Sequence, residues 1–322
     1  MTSMRDISKK TGLGIATISR YINKSGYVSK ENGELIQRAI DELDYVPNRH
    51  AMAVFEAESS TIGLVFPSLV NPFLAQLSTL LGNAIQEAGY TSIFCFTEDN
   101  PQKERDALKL LKGYRVDGMM IFRPLNKDLI ADLRFPVVSF ETTISPDTVV
   151  VTADNFGGGQ MACQHLYERG CRKLLHLMGP DNFEATQARA SGFVDKAKEL
   201  GLPCDLKTIQ HDYELGDDFA YAVRSIDFAQ YDGVFVFNDI NCLLLISHLL
   251  QQGARIPEDI KVIGFDNAHI TRLMKPAITT IDQQVNQLAQ VSLSVLLAEI
   301  NHQKTSKNAH IIPVRLVQGM TT

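Results

Sequence analysis

The sequence predicts an α/β protein in two parts. A small all-α headpiece with a helix-turn-helix pattern comes first, followed by a larger core of doubly wound parallel sheets. Three observations predict this. The first 45 residues hold three short amphipathic patterns, with a glycine between the first two. From Thr61 onward, short apolar runs alternate with longer helix-periodic stretches, the rhythm of parallel strands joined by helical crossovers. Charge is also segregated. The chain carries −6 overall, yet residues 1–30 carry +5 (Arg5, Lys9, Lys10, Arg20, Lys24 and Lys30 against Asp6), leaving −11 for the other 292. A basic head on an acidic body suits a module that meets nucleic acid joined to one that does not.

A chain of 322 residues exceeds one ordinary domain, and 45% hydrophobic residues are ample for buried cores. No apolar run reaches the roughly eighteen residues of a membrane helix. Residues 1–10 lack the apolar stretch of a secretory signal, so the expected location is the cytoplasm, with no membrane partner. The five cysteines (Cys95, Cys163, Cys171, Cys204 and Cys242) are odd in number and widely spaced. They fit a reducing compartment and support neither a disulfide framework nor a zinc site. The histidines show no metal-binding spacing, and no cofactor is expected.

Taken in order, the first helix should run from Met4 to Thr11 with Ile7 inward. Gly12 can supply the left-handed turn that follows. The second should span Ile15–Asn23, with Ile18 and Ile22 on its inner face. The third should span Lys30–Asp44, its buried stripe formed by Leu35, Ala39 and Leu43 with Ile36 and Ile40 beside them. Pro47 should end it, and Asn48 can cap a further segment over 49–57 that is too short to be a stable helix alone. The expected division is therefore a headpiece over 1–46, a hinge segment over 47–60 and a two-lobed core over 61–322.

In the core, strands are expected at Thr61–Phe66, Thr91–Phe96, Gly118–Phe122, Val137–Phe140, Lys173–Met178, Gly233–Phe237 and Lys261–Phe265. Helices should fill most gaps. The number of such units exceeds one domain, so two lobes should cross near Asn155, and Ala277–Thr322 should return to the first lobe.

On the second helix, Ile15, Ala16, Ser19 and Arg20 share a face away from Ile18 and Ile22. A helix of this kind enters the major groove with its N-terminal residues at base edges. Arg20 suits guanine, through bonds to O6 and N7, while Thr17 and Ser19 can hold phosphates. In the core, ligands of open parallel sheets bind at the carboxyl ends of strands. Asn71, Phe73, Glu141, Asn238, Asp239, Asp266 and Gln283 sit there, and Arg189 joins from the start of a helix. Sugars need forked polar bonds of this kind plus an aromatic face. Asp239 reads better as a helix cap than as a ligand contact, and Phe73 is divided between core and stacking platform. Gly157-Gly158-Gly159 lacks the lysine and spacing of a phosphate loop, so helix packing is its better reading.

The run from Met4-Arg5-Asp6-Ile7 through Ile18-Ser19-Arg20-Tyr21-Ile22-Asn23 resembles the lactose-repressor (LacI/GalR) headpiece. Gly26-Tyr27-Val28-Ser29, Tyr45-Val46-Pro47-Asn48, Asn71-Pro72-Phe73, Val262-Ile263-Gly264-Phe265-Asp266 and Thr279-Thr280-Ile281 continue the likeness across the chain. It is most similar to regulators of sucrose or other sugar operons. The resemblance implies a periplasmic-binding-protein-like core. It implies DNA contacts from Ile15, Ala16, Thr17, Ser19, Arg20, Asn23, Tyr27, Asn48 and Val54. It implies effector contacts from Asn71, Phe73, Glu141, Arg189, Asn238, Asp266 and Gln283.

Four departures qualify the match. Gly14 replaces the usual capping serine, at small cost. Ile15 occupies a base-reading position that is often polar, so it can touch a thymine methyl but cannot hydrogen-bond. The hinge reads Ala51-Met52-Ala53-Val54, with valine in place of the leucine that wedges into the minor groove. Glu141-Thr142 stands where the family usually has an Asp-Arg pair, which argues against a ribose-like effector.

The expected function is a DNA-binding regulator, a repressor of a sugar-utilisation operon that answers to a sugar or sugar phosphate. It should work as a homodimer on a near-palindromic operator, because one headpiece reads only a half-site. The alternative within the class is a global carbon-catabolite regulator that docks a phosphocarrier protein. An enzyme on the same scaffold is disfavoured by the lack of a catalytic motif. A solute-binding protein is disfavoured by the headpiece.

Overall fold

The computed structural model describes residues 2–46, 59–209, 217–273, 275–303 and 308–322. The chain divides into two compact units, Met1–Ser59 and Ser60–Thr322. Asn48, Val54 and the hinge segment expected over 49–57 lie outside the described residues.

The headpiece consists of α1 (Met4–Thr11), α2 (Ile15–Ile22) and α3 (Lys30–Glu42). Ser3 N–H donates to Asp6 Oδ2 at 2.9 Å, fixing the start of α1. Gly12 ends it in the left-handed region at φ 72°, where a side chain would be strained. Ile7, Ile18, Ile36, Ala39 and Tyr45 bury the small core. Leu35 departs from expectation: it is 41% exposed. The buried stripe of α3 is Ile36, Ala39, Ile40 and Leu43, and Leu35 lies one residue, about 100°, off that line. Helix α3 also ends earlier than Pro47 would require. Asp44 turns left-handed at φ 46°, and Tyr45 N–H returns to Ile40 O at 3.0 Å, which closes the helix locally.

The second unit holds two six-stranded sheets. In chain order its elements are β1 (Thr61–Phe66), α4 (Pro72–Glu87), β2 (Thr91–Phe96), α5 (Pro101–Tyr114), β3 (Gly118–Phe122), α6 (Lys127–Ala131), β4 (Val137–Phe140), β5 (Val149–Ala153), α7 (Asn155–Glu168), β6 (Leu174–Met178), α8 (Glu184–Glu199), β7 (Cys204–Thr208), α9 (Asp217–Arg224), β8 (Gly233–Val236), α10 (Asp239–Gln251), β9 (Lys261–Asp266), β10 (Thr279–Asp282), α11 (Val285–Ile300), β11 (Ala309–Ile312) and β12 (Arg315–Val317).

The first sheet has order β11-β5-β4-β3-β1-β2 and the second β12-β10-β9-β8-β6-β7. Among the described residues, every pairing is parallel except β10 with β12. Strands such as β3 and β8 are buried along their whole length, as sheets covered on both faces require.

The lobes meet where the chain passes from β5 to α7 at Asp154. The expected return of Ala277–Thr322 to the first lobe holds only in part. Helix α11 and β11 return, but β10 and β12 join the second sheet. The chain therefore crosses between lobes three times among the described residues, near positions 154, 283 and 313. Gln284 Nε2 donates to Pro313 O at 2.6 Å and ties two crossings together. No helix among the described residues is long and apolar enough to cross a membrane.

Candidate ligand cavity and nucleic-acid interface

A cavity between the lobes encloses about 510 Å³ of space, part of it open to solvent, and all seven effector candidates line it: Asn71, Phe73, Glu141, Arg189, Asn238, Asp266 and Gln283. All but Arg189 arrive from the end of a strand or the start of a helix; Arg189, expected at a helix start, lies in the second turn of α8. Asn71 caps α4, its Oδ1 accepting from Phe73 N–H at 2.9 Å. Asn238 caps α10 through Asn241 N–H at 2.9 Å. The cap of α10 is thus Asn238, and the expectation that Asp239 caps it is corrected.

Asp239 is instead fully buried. Its Oδ1 accepts from Thr280 Oγ1 at 2.6 Å and its Oδ2 from Ala268 N–H at 2.9 Å. Those bonds hold the turn after β9, where Asp266 and Asn267 adopt φ 122° and 55°. Burial, and then the charge of Asp266, push the Asp239 carboxyl well above the usual carboxylate range.

Arg189 is buried and bound on several sides. Its Nε donates to Asn155 Oδ1 at 2.8 Å and its Nη1 to Phe237 O at 2.6 Å, while its guanidinium lies 3.7 Å from the Phe265 ring centroid. The Glu141 carboxylate accepts from Thr152 Oγ1 and Ala153 N–H at 2.9 Å each, and from Asn155 Nδ2. Glu141, Asn155 and Arg189 therefore form one chain across the first crossing, and the carboxylate of Glu141 is largely spent on it. Gln283 Nε2 donates to Asp266 Oδ1 at 2.6 Å. Its Oε1 is buried without a hydrogen-bond partner among the described residues.

Phe73 is 4% exposed in the core of the first lobe and also lines the cavity. The three glycines at 157–159 lie inside α7. A Cβ on Gly159 would sit 2.1 Å from Arg189 O, and one on Gly192 would sit 2.0 Å from Phe156 O. They allow α7 and α8 to pack backbone to backbone, which sets the position of Arg189.

Residue-level sequence reading missed Phe122, Arg123, Phe183 and Phe237 in the lining. No sequence spacing signals the Arg123–Phe183 contact, whose partners lie sixty residues apart on different lobes. No group of three or more His, Cys, Asp or Glu side chains among the described residues is placed to hold a metal.

On the headpiece, Ile15, Ala16 and Arg20 are exposed along one face of α2, and Ile18 is fully buried on the other. Thr17, Ser19 and Asn23 are half-buried, and Asn23 Nδ2 donates to Ser19 Oγ at 3.2 Å. Tyr27 projects 89% exposed. Gly14 caps α2 by backbone alone.

Residues 3–48 match the model of bacterial regulatory proteins of the lacI family, and residues 163–322 match the periplasmic binding protein-like domain. The ribose operon repressor of Halalkalibacterium halodurans is 30% identical, aligned over 100% of this chain and 97% of its own length. The sucrose operon repressor of Streptococcus mutans is 31% identical over 99% of both chains. A crystal structure of a periplasmic binding protein/LacI transcriptional regulator from Alkaliphilus metalliredigens, complexed with D-xylulofuranose, superposes with a TM-score of 0.78. It is 38% identical and covers 82% of this chain and 99% of that one.

Proposed function

The chain belongs to the lacI family of bacterial regulatory proteins, and from that premise we propose that it represses a sugar-utilisation operon and is switched by a small sugar bound between its lobes. The observation that carries this reading is the convergence of Asn71, Arg189, Asn238, Asp266 and Gln283 on one cavity between the lobes. The unpartnered Gln283 Oε1 calls for a ligand that donates a hydrogen bond, as a sugar hydroxyl does.

The exposed face of α2, with Arg20, reads the operator, and Tyr27, Thr17 and Ser19 meet its backbone. Asn48 and Val54 contact the operator from the hinge segment. Two copies bind a near-palindromic site, since one headpiece spans only a half-site. The headpiece over 1–46, hinge over 47–60 and core over 61–322 divide these roles.

The test uses the purified full-length chain. Random-sequence selection should return a two-fold symmetric operator, and a thermal-shift screen of sugars and sugar phosphates should find a stabilising ligand. A ligand at 100 times its Kd adds about 2.7 kcal/mol. Release of operator by the sugar alone also separates this reading from a catabolite regulator that needs a phosphocarrier protein. Selection of an asymmetric site, or a flat screen, would contradict the proposal.

A further inference from the structure

The cavity is bridged on its solvent side by residues that no binding role requires. Arg123, at the end of β3 in the first lobe, places its guanidinium carbon 4.2 Å from the ring centroid of Phe183 in the second lobe. The guanidinium is held from behind by Asp99 at 3.7 Å, and the Arg123 backbone is left-handed at φ 54°. The next residue, Glu184, begins α8 and accepts from Lys127 Nζ at 3.0 Å and from Thr143 N–H at 3.1 Å. Both partners belong to the first lobe. Residues 183–184 thus touch the opposite lobe at three points.

Exposure falls steadily inward. The Lys127 and Glu184 side chains are 41% and 47% exposed, Arg123 13%, and Gln283 only 2%. The stack therefore lies between solvent and the polar floor.

We propose that Arg123 and Phe183 act as a size filter, and that the ligand this site admits is a single-ring sugar and not a disaccharide. The inference rests on the reading of the cavity as a sugar site and narrows it. The first ring occupies the polar floor around Asp266, Gln283 and Asn238. A second ring would have to extend through the Arg123–Phe183 stack, breaking it together with the Glu184 contacts. Specificity here is a penalty against the larger ligand, not an added attraction for the smaller one.

The test is calorimetry on the full-length protein with D-xylulose, D-ribose and D-fructose as single-ring probes and sucrose as the two-ring probe. Wild type should bind at least one single-ring probe about 100-fold or more tighter than sucrose. Phe183→Ala should shrink that ratio at least about tenfold by gaining sucrose affinity. Arg123→Gln, which keeps a polar side chain but removes the cation from the stack, should move the ratio the same way. Melting temperature without sugar identifies a variant that has lost its fold, and the other variant then decides.

If sucrose binds wild type as tightly as the best single-ring probe and Asp266→Ala weakens that binding, the sugar site stands and the filter is wrong. If the ratio ignores both variants, the filter is likewise wrong. If no sugar binds, or Asp266→Ala binds sugar as tightly as wild type, the reading of the cavity fails and this inference falls with it.

Discussion

Gln283 and Asp266 are joined by a 2.6 Å hydrogen bond across the ends of two neighbouring strands, whose register sets Asp282 beside Asp266. The bond orients the carboxylate and leaves Gln283 Oε1 as a buried acceptor. Asp266→Ala should therefore remove a charged acceptor from the cavity and strand its amide partner. Sugar affinity should fall by about 1–3 kcal/mol, while operator affinity without sugar stays near wild type. Calorimetry and gel shift on the same preparation check both halves, and unchanged sugar affinity would remove Asp266 from the site.

Arg20 is exposed on the face of α2 opposite buried Ile18. Arg20→Ala should weaken specific operator binding by roughly 1–3 kcal/mol and relax preference at one base pair. Lys9→Ala should weaken all sequences alike and lower the salt slope, as loss of a phosphate contact does. Comparison of operator with random DNA over a salt series distinguishes them. An equal loss on both DNAs for Arg20→Ala would contradict base reading.

His176 is fully buried, stacked 4.4 Å from the Phe235 ring centroid, with Nδ1 3.0 Å from Phe235 O. Burial lowers its pKa from 6.5 to about 4. The folded state thus holds the neutral ring, while the unfolded chain takes up a proton below pH 6.5. Stability is retained above that pH, falls as pH drops toward 4, and loses roughly 3 kcal/mol across the window. Burial lowers the pKa of His165 as well, so the informative quantity is a difference. Urea melts from pH 7 to 4 should show a shallower decline for His176→Phe than for wild type. Parallel curves would show that His176 does not titrate on unfolding.

Gly159 lies against the carbonyl of Arg189, with room for no side chain. Gly159→Ala should force α7 and α8 apart and cost about 1–3 kcal/mol or more. It should also weaken sugar binding, because Arg189 moves with its helix. Gly113→Ala, where an added Cβ meets nothing within 4 Å, is the matched control and should cost nothing of this size. Equal denaturation midpoints for the two variants would refute the packing argument.

The parts legible in the sequence were those governed by short-range pattern. Ile62-Gly63-Leu64-Val65-Phe66 reads as a covered strand, and it is one. Gly12 reads as a left-handed turn, and it is one. The missed strands are of three kinds. Strand β5 is buried and opens on the legible run Val149-Val150-Val151, yet the expected set omits it. Strands β7, β11 and β12 are short sheet edges with exposed positions, so they lack a continuous apolar run. Strand β10 is buried but opens Thr279-Thr280, whose hydroxyls find Thr322 and Asp239 only after folding. The cavity floor was legible because it follows strand ends. The Arg123–Phe183 contact was not, because it joins residues sixty positions apart on different lobes. Asp239 was misread because its neighbour Asn238 has the same capping chemistry, and burial decided between them.

The central claim is that the sugar cavity and the DNA-binding face are energetically linked. The direct measurement is operator affinity by fluorescence anisotropy, with and without a saturating concentration of the sugar that stabilises the protein, for wild type and Asp266→Ala. The account predicts that the sugar shifts wild-type operator affinity by about 5–150-fold, the usual range of coupling between sites, and that Asp266→Ala needs a higher sugar concentration to reach the same shift. Identical operator affinity with the wild-type cavity filled and empty would contradict it.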